Sequence, residues 1–313
     1  MNDKNLLIGF KNNDDAAVYK IDSKKSIVFT VDFFTPIVDD PVHYGRISAC
    51  NSISDVYAMG GKPFLALNVI GFPSNDLENK VLNQILKGAF EITNKAGVVI
   101  GGGHTVKDNE LKFGLAVLGF VDNKNIIHNS NAEPGDIIIL TKPIGTGIIT
   151  TAQKNTGKIQ ARIINPVIKS MEHLNNKVCD IMLKYRVKCA TDITGFGLLG
   201  HLSEIAKASN VDIAIDSESV PVFDGTITLA KKGFISGGTY ANHEFLAPIV
   251  TYDKSVSELK QLILCDAQTS GGIVMFCKPK DVKKIQSELS KTELANSIIG
   301  HVITNGNGIL NVD

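Results

Sequence analysis

The chain has 313 residues, 43% of them apolar and 20% charged, so it can bury a sizeable core, and its length favours two domains over one. Lysine plus arginine and aspartate plus glutamate each number 32, and neither sign forms a long block, which argues against charge-driven binding of nucleic acid or a membrane surface. No apolar run could span a bilayer, the five cysteines show no zinc-like pairing, and the N-terminus has no signal-peptide pattern, so we expect a cytoplasmic protein with reduced thiols.

The first predicted elements carry acids at unusual places. A polar turn at residues 11–15 puts Asp14 and Asp15 at the entrance of a strand predicted over residues 16–21. The next strand, SIVFTVDFF, is β-branched and aromatic but contains Asp32. Because a carboxylate is costly when buried without a partner, Asp32 either lies at the exposed end of its strand or binds something.

The segment from Arg46 to Pro73 predicts an amphipathic helix followed by a strand. The polar arc of the helix holds one acid and no Lys, Glu or Gln, and its members are Ser48, Asn51, Ser52 and Asp55. A solvated arc normally carries those longer residues, so we expect this arc to face something other than bulk water. For Asp55 alone, the default interpretation is a satisfied core residue or a cap. The segment FLALNVIGF is apolar at both alternating sets of positions, which predicts a strand buried on both faces.

A second helix is predicted over Asn79–Ala96, and the strand after it runs into GGGHT at residues 101–105. Three glycines let the backbone approach a ligand, and their amides can form a nest for a phosphate, although a tight turn is the commoner explanation. The run has neither the GK[ST] ending of a P-loop nor the spacing of a dinucleotide fold. A polar connector at residues 122–134 predicts a boundary between domains 1–128 and 129–313.

Helices and strands alternate in the second half. One helix is predicted from about Val167 to Tyr185, with Pro166 at its start. The stretch CATDITGFGLLGHLSE predicts a strand, a glycine turn and a helix, with Asp192 at the end of the strand. Considered alone, Asp192 or Thr194 would simply cap that helix. CDAQTSGG leads into a buried strand, and a charged surface helix and terminal strands close the chain.

Considered together, the five acids support a stronger hypothesis. They lie at turns, at strand ends or on the polar arc, and none has a neighbouring Lys or Arg in the sequence: Asp14, Asp15, Asp32, Asp55 and Asp192. If they converge in space, mutual repulsion requires cations, and hard divalent ions that also bridge to phosphates supply them. The pattern therefore indicates Mg²⁺-dependent nucleotide chemistry.

Six motifs, in this order, resemble the selenophosphate synthetase (selenide, water dikinase) family of the aminoimidazole ribonucleotide synthetase superfamily: NNDDAAVY, TVDFFTPIVDDP, NSISDVYAMGGKP, GGGHTV, TDITGFGLLGHLSE and CDAQTSGG. The resemblance covers nearly the whole chain. It implies an ATP-dependent phosphotransferase that converts selenide and water to selenophosphate, AMP and orthophosphate.

The resemblance also implies roles for individual residues. Asn12, Asn13 and Asp14 would line the ATP site, Asp32 would contact ATP, and Gly103, His104 and Thr105 would contact the nucleotide. Asp15 and Asp192 would bind Mg²⁺, and Asp55 would serve both ATP and the metal.

The implied fold is a two-domain mixture of α+β and α/β structure. The N-terminal ATP-binding domain would join that of a partner in a shared β-barrel, so the protein would be a homodimer with a C-terminal α/β sandwich in each subunit. The implied partners are selenide and ATP, without nucleic acid or membrane.

One feature of the family has no counterpart here. The family places a glycine-rich segment with a Cys or selenocysteine, and then a Lys, upstream of the NLLIG-like strand with which this chain begins, and neither Lys4 nor Lys11 matches that Lys. We therefore expect the catalytic Cys or selenocysteine and the Lys to lie upstream of Met1, ATP to bind, and selenide-dependent turnover to be lost or very low. If the upstream residue is selenocysteine, its in-frame UGA codon would be read as a stop, and gene prediction would restart at Met1. The genomic bases before the Met1 codon would show whether such a UGA is present.

Three functions remain open from the sequence. The first is a selenophosphate synthetase or the body of one, for which selenide-dependent AMP formation is the discriminating assay. The second is another enzyme of the superfamily, such as a ribonucleotide cyclo-ligase or a carbamoyl-dehydrating hydrogenase maturation factor, which share TDITGFGLLGH in looser form. The third is a non-catalytic nucleotide-binding scaffold or dimer partner.

Overall fold

The computed structural model describes residues 3–313, apart from the side chain of Asn12. The strands in this part of the chain are β1 (Leu6–Ile8), β2 (Ala17–Lys20), β3 (Lys25–Phe34), β4 (Lys62–Phe72), β5 (Val99–Lys107), β6 (Lys112–Asp122), β7 (Ile137–Leu140), β8 (Cys189–Asp192), β9 (Val211–Ile215), β10 (Val250–Tyr252), β11 (Ile273–Cys277), β12 (Ser297–Asn305) and β13 (Leu310–Val312). The helices are α1 (Pro41–Ala58), α2 (Asn79–Ala96), α3 (Thr146–Thr156), α4 (Ala161–Met171), α5 (Asn176–Lys184), α6 (Gly197–Ser209), α7 (Thr226–Lys231), α8 (Gly237–Leu246), α9 (Glu258–Leu264) and α10 (Pro279–Leu289). These elements form two sheets with helices packed against them.

The N-terminal sheet has the order β1-β2-β3-β6-β4-β5, with β4 and β5 parallel and the other neighbours antiparallel. Helix α1 packs on β3 and β6, and α2 packs on α1. The opposite face of the sheet carries apolar side chains that are 40–56% exposed, namely Phe29, Val31, Phe33, Leu67 and Phe120. The prediction that the β4 segment is buried on both faces is therefore wrong for the single chain, because helices cover only one face.

The C-terminal sheet has the order β10-β13-β9-β12-β7-β11-β8. Strand β11 is buried along its whole length and pairs antiparallel with both β7 and β8. This pairing sets Asp192, the last residue of β8, opposite Ile273, the first residue of β11. The residues before β11 and after β7 therefore lie beside Asp192.

The two sheets are formed by residues 6–122 and 137–312. The polar connector runs between them, and we propose the domain boundary within it, at residues 128 and 129.

Two sequence predictions about helices have different outcomes. The helix predicted over Asn79–Ala96 is confirmed as α2, and Gly97 ends it in a left-handed conformation, with φ of 70°. The single helix predicted from Val167 to Tyr185 is wrong, because the segment forms two helices, α4 and α5, and Pro166 lies inside α4. Pro166 has no backbone N–H to donate, and α4 tolerates it in its second turn, so the proline did not mark the start of the helix.

Within residues 3–313, no helix combines the length and apolar character needed to cross a membrane. All five cysteines are buried free thiols.

Candidate nucleotide and metal site

The polar arc of α1 faces the protein interior. Ser48, Asn51, Ser52 and Asp55 are all at most 7% exposed, which confirms that this arc does not face bulk water. The Ser52 hydroxyl donates to the backbone carbonyl of Asp32 (2.9 Å) and accepts from the backbone N–H of Leu115 (3.1 Å), so it fixes α1 to β3 and β6. The arc is therefore held against the sheet at the position of Asp32.

Asp55 does not cap α1, because the helix begins at Pro41 behind the capping side chain of Asp40. One carboxylate oxygen of Asp55, Oδ2, accepts a hydrogen bond from the Thr30 hydroxyl (2.5 Å). Burial, and then the negative charge of Asp192, raise the pKa of Asp55 well above its ordinary value. Asp55 is thus a buried acid with too few donors to stabilise its charge.

Asp32 lies near the end of β3 and is half-buried. The side-chain amide of Asn51 donates to Asp32 Oδ2, and Asn51 Oδ1 accepts from the backbone N–H of Ser270 (2.8 Å). Asp32 is therefore a carboxylate held by a hydrogen bond from Asn51, not a free one at the exposed end of its strand. Burial, followed by the charge of Asp192, raises its pKa.

Asp15 and Asp192 meet where the turn before β2 reaches β8. The Thr191 hydroxyl donates to Asp15 Oδ1 (2.5 Å), while Asp15 Oδ2 and Asp192 Oδ2 are buried and have no hydrogen-bond partner. Burial, and then the charge of Asp192, raise the pKa of Asp15 well above its ordinary value. Two carboxylate oxygens in this part of the molecule are therefore buried without a hydrogen-bond donor.

The neighbouring turn residues are tied to the C-terminal half of the chain. Asp14 Oδ1 accepts from the backbone N–H of Asn129 (2.8 Å), and the Asn13 side-chain amide donates to Glu204 of α6 (3.0 Å). Burial raises the pKa of Asp14. The side chain of Asn12 lies outside the described residues, so its predicted role stays a prediction.

The structure thus brings together Asp15, Asp32, Asp55 and Asp192, with Asp14 beside them. Asp192 is the member whose charge acts on the other three, and burial raises its own pKa while a hydrogen bond from Ser54 and the charges of His201 and Lys142 lower it. Two of these carboxyl groups come from the N-terminal sheet and α1, one from the turn before β2, and one from the C-terminal sheet. Their roles toward ATP and metal stay predictions.

The residues present fit a hard divalent cation. Their ligand atoms are carboxylate oxygens, and the two unpartnered oxygens of Asp15 and Asp192 would be satisfied by such an ion. In the described part of the chain, no three Asp, Glu, His or Cys side chains already form a complete set of ligands. Magnesium usually keeps several waters and takes one or two carboxylates plus substrate phosphates, which suits a site of this kind.

The glycine run lies elsewhere. Gly103, His104 and Thr105 are exposed in the edge strand β5, so the run is neither a nest nor a turn. Gly103 has φ of 151° and pairs with Asn68, where an added Cβ would overlap the Asn68 backbone, which explains the glycine. From Gly103 the strand pairing runs through Asn68 of β4 and Leu115 of β6 to Asp32 of β3. Asp32 is therefore three strand spacings, or about 14 Å, from Gly103. Within one chain, these three residues do not join the carboxylates.

Sequence reasoning missed several residues that hold the carboxylates. Thr30, Thr191 and Ser270 lie within the motifs TVDFFTPIVDDP, TDITGFGLLGHLSE and CDAQTSGG, but they received no role because an uncharged hydroxyl does not by itself indicate a site. Asn51 was visible on the polar arc, and Lys142 was visible as the one cation in the apolar stretch DIIILTKPIG.

Comparison with family profiles matches both halves of the chain. The AIR synthase related protein N-terminal domain matches residues 13–121, and the C-terminal domain of the same family matches residues 133–313. Solved structures share the fold, including thiamine-monophosphate kinase from Stenotrophomonas maltophilia K279a (17% identity, TM-score 0.71, 99% of this chain and 92% of that one) and the hydrogenase maturation protein HypE in complex with ATP (16% identity, TM-score 0.68, 94% and 83%). The chain is therefore an AIR synthase-related protein with both domains, which confirms the predicted fold class.

Relatives with higher sequence identity define the family of this chain more specifically. The selenide, water dikinase of Clostridioides difficile (strain 630) is 44% identical over 313 residues, which cover 99% of this chain and 89% of that protein. The enzyme of the same name from Treponema denticola is 44% identical over 290 residues, covering 93% of this chain and 81% of the relative. The chain belongs to the selenide, water dikinase family.

Proposed function

We propose that this protein catalyses the reaction of its family, in which ATP, selenide and water give selenophosphate, AMP and orthophosphate in the cytoplasm. The observation that supports this most directly is the buried group of Asp15, Asp32, Asp55 and Asp192, drawn from both halves of the chain. Burial raises the pKa of all four acids, and the charge of Asp192 raises the pKa of the other three further, so the group is costly to fold unless the site binds cations. Nucleotide bound with Mg²⁺ would supply them.

In this proposal Asp15, Asp55 and Asp192 hold Mg²⁺, while Asn12, Asn13, Asp14 and Asp32 line the nucleotide. Bound Mg²⁺ would neutralise the charge on the phosphate oxygens as a phosphoryl group is transferred. The Thr30 and Thr191 hydroxyls orient Asp55 and Asp15. The Asn51 amide, held by Ser270, orients Asp32.

We further propose a homodimer in which the exposed apolar face of the N-terminal sheet joins that of a second copy. Five large apolar side chains on one face exceed what scattered surface residues explain. The roughly 14 Å between Gly103 and Asp32 in one chain supports the same arrangement, because a second copy could bring its own Gly103, His104 and Thr105 to the nucleotide.

The test is product analysis of ATP incubated with the protein and Mg²⁺, with and without selenide. The proposal predicts AMP and orthophosphate only when selenide is present. The identity of the product decides the matter even when the reaction is slow. ADP as the final product, or AMP formed equally without selenide, would point to another enzyme of the superfamily or to a contaminant.

A further inference from the structure

Lys142 is a buried cation whose charge lowers the pKa of Asp192, although its ammonium group forms no hydrogen bond or ion pair with a carboxylate of the described residues. It follows β7, is 2% exposed, and its ammonium group donates to the backbone carbonyls of His173 (2.7 Å) and Ser270 (3.0 Å). Carbonyl oxygens stabilise a cation without neutralising it, so an ammonium group at this depth is costly to fold. A residue that lowers stability in this way invites a functional explanation.

One of these two carbonyls is that of Ser270, which lies in the loop that orients Asp32 through Asn51. Ser270 has φ of 48°, a conformation that a serine adopts only when surrounding contacts hold it. Its N–H donates to Asn51 Oδ1 (2.8 Å) and its hydroxyl donates to the carbonyl of Met171 (2.6 Å), so all its polar groups are used. The next residues are wedged between strand ends, because a Cβ at Gly271 would overlap Ile193 and one at Gly272 would overlap Lys142 itself.

The donor on Ser270 decides which way Asn51 points. An amide side chain has one accepting and one donating end. Because Ser270 N–H occupies the oxygen of Asn51, the nitrogen must face Asp32, where it donates to the carboxylate. If the loop moved away, Asn51 could turn over and present its oxygen to the same carboxylate.

The other carbonyl is that of His173, which lies in the loop between α4 and α5. Two residues after His173, the buried Asn175 side-chain amide donates to the Ser54 hydroxyl (2.8 Å) and to the carbonyl of Gly271 (3.1 Å). Ser54 lies on α1 next to Asp55, and its hydroxyl acts on the Asp192 carboxyl and lowers the pKa of that acid. Both loops that Lys142 joins therefore contact buried polar side chains of α1, Asn51 in one case and Ser54 in the other.

We propose that Lys142 is a positioning residue for the carboxylate group: its ammonium ties the loops at His173–Asn175 and Ser270–Gly271 together, and these loops set Asn51 and Ser54 for Asp32 and Asp192. The inference rests on the proposed function insofar as those carboxylates bind nucleotide and metal. It makes loops of the C-terminal half responsible for the orientation of Asn51 and Ser54 on α1, which lies in the N-terminal half.

The test compares Lys142→Met with Lys169→Met. Lys169 lines the same surface pocket as Lys142, but its side chain is 70% exposed and pairs with Glu293, so its loss is the matched control. Calorimetric titration of ATP in Mg²⁺ should show a Kd raised tenfold or more for Lys142→Met and unchanged for Lys169→Met. Lys142→Arg, which restores donors for both carbonyls, should recover much of the affinity.

A purely structural lysine would give a different pattern. It would lower the denaturation midpoint of Lys142→Met and leave the affinity of the folded protein for Mg²⁺-ATP unchanged, and that result would overturn the proposal. In a double-mutant cycle with Asn51→Ala, the proposal requires the two losses of affinity to be less than additive, because both act through Asp32. Additive losses would also overturn it.

Two further measurements keep the outcome clear. Hydrogen exchange without ligand should quicken in residues 268–272 and 173–176 of Lys142→Met, and unchanged exchange there would contradict the inference. This measurement does not depend on ATP binding. A parent protein that bound no ATP would refute the proposed function and leave the inference to be decided by the exchange data. Should Lys142→Met fail to fold, Asn175→Ala tests the same chain of contacts at Ser54. It should weaken Mg²⁺-ATP binding severalfold, and an unchanged affinity would refute the inference.

Discussion

Asp192→Asn should weaken nucleotide binding and strengthen the metal-free fold at the same time. The substitution keeps the shape of the side chain and removes the charge that raises the pKa of Asp15, Asp32 and Asp55. If Asp192 holds Mg²⁺, losing a charged partner in the site should cost roughly 1 to 3 kcal/mol of binding free energy. This corresponds to a Kd for Mg²⁺-ATP raised roughly 5- to 150-fold.

The gain in stability follows from the same contacts. Each unit of pKa shift relieved is worth about 1.4 kcal/mol, so the metal-free variant should be more stable by on the order of 1 kcal/mol near neutral pH. Calorimetric titration measures the first effect, and urea unfolding in chelator measures the second. Asp224→Asn is the control, because Asp224 is an exposed acid of the C-terminal half and the substitution changes the net charge equally.

The reasoning would be refuted by a variant that binds Mg²⁺-ATP like the parent. It would be refuted equally by one that loses affinity only because its metal-free fold is weaker, since the account requires stability and affinity to move in opposite directions.

Three other predictions follow from the same features. Asp55→Asn should weaken Mg²⁺-dependent ATP binding by roughly 1 to 3 kcal/mol with little loss of folding, as titration and thermal unfolding would show. Sedimentation should find a dimer at micromolar concentration and a monomer for Phe33→Asp, whereas a monomeric parent would count against the shared barrel. Because the pKa values of Asp15, Asp55 and Asp192 are raised, these three groups hold more protons in the native state than in the unfolded chain above pH 3.8. The thermal midpoint in chelator should therefore fall as pH rises toward neutrality, and Mg²⁺ should flatten that slope.

Local patterns predicted the parts of the fold that local chemistry determines. The small polar residues around Asp55 indicated a buried arc, and the apolar spacing and terminal glycine of residues 79–97 indicated α2. Pro166 was misleading because a proline at the start of a helix and one in its second turn leave the same signal in the sequence.

Tertiary contacts explain most of what the sequence could not predict. The glycines of β5 are required by close pairing with Asn68, and nothing in the run itself distinguishes such a strand from a nest. The contacts of Lys142 are to backbone carbonyls, which have no sequence signature. The exposed apolar face that includes Leu67 looked buried in the sequence because alternation cannot reveal whether a helix of the same chain covers it.

Phosphorus NMR of the reaction with ⁷⁷Se-labelled selenide tests the central claim most directly, because it detects the phosphorus–selenium bond itself. With protein at a concentration comparable to that of ATP and Mg²⁺ in excess, even one turnover is visible. The account predicts a phosphorus signal split by selenium, together with equal amounts of AMP and orthophosphate, and the loss of all three in Asp55→Asn. Consumption of ATP to ADP, or to AMP without a phosphorus–selenium signal, would contradict it.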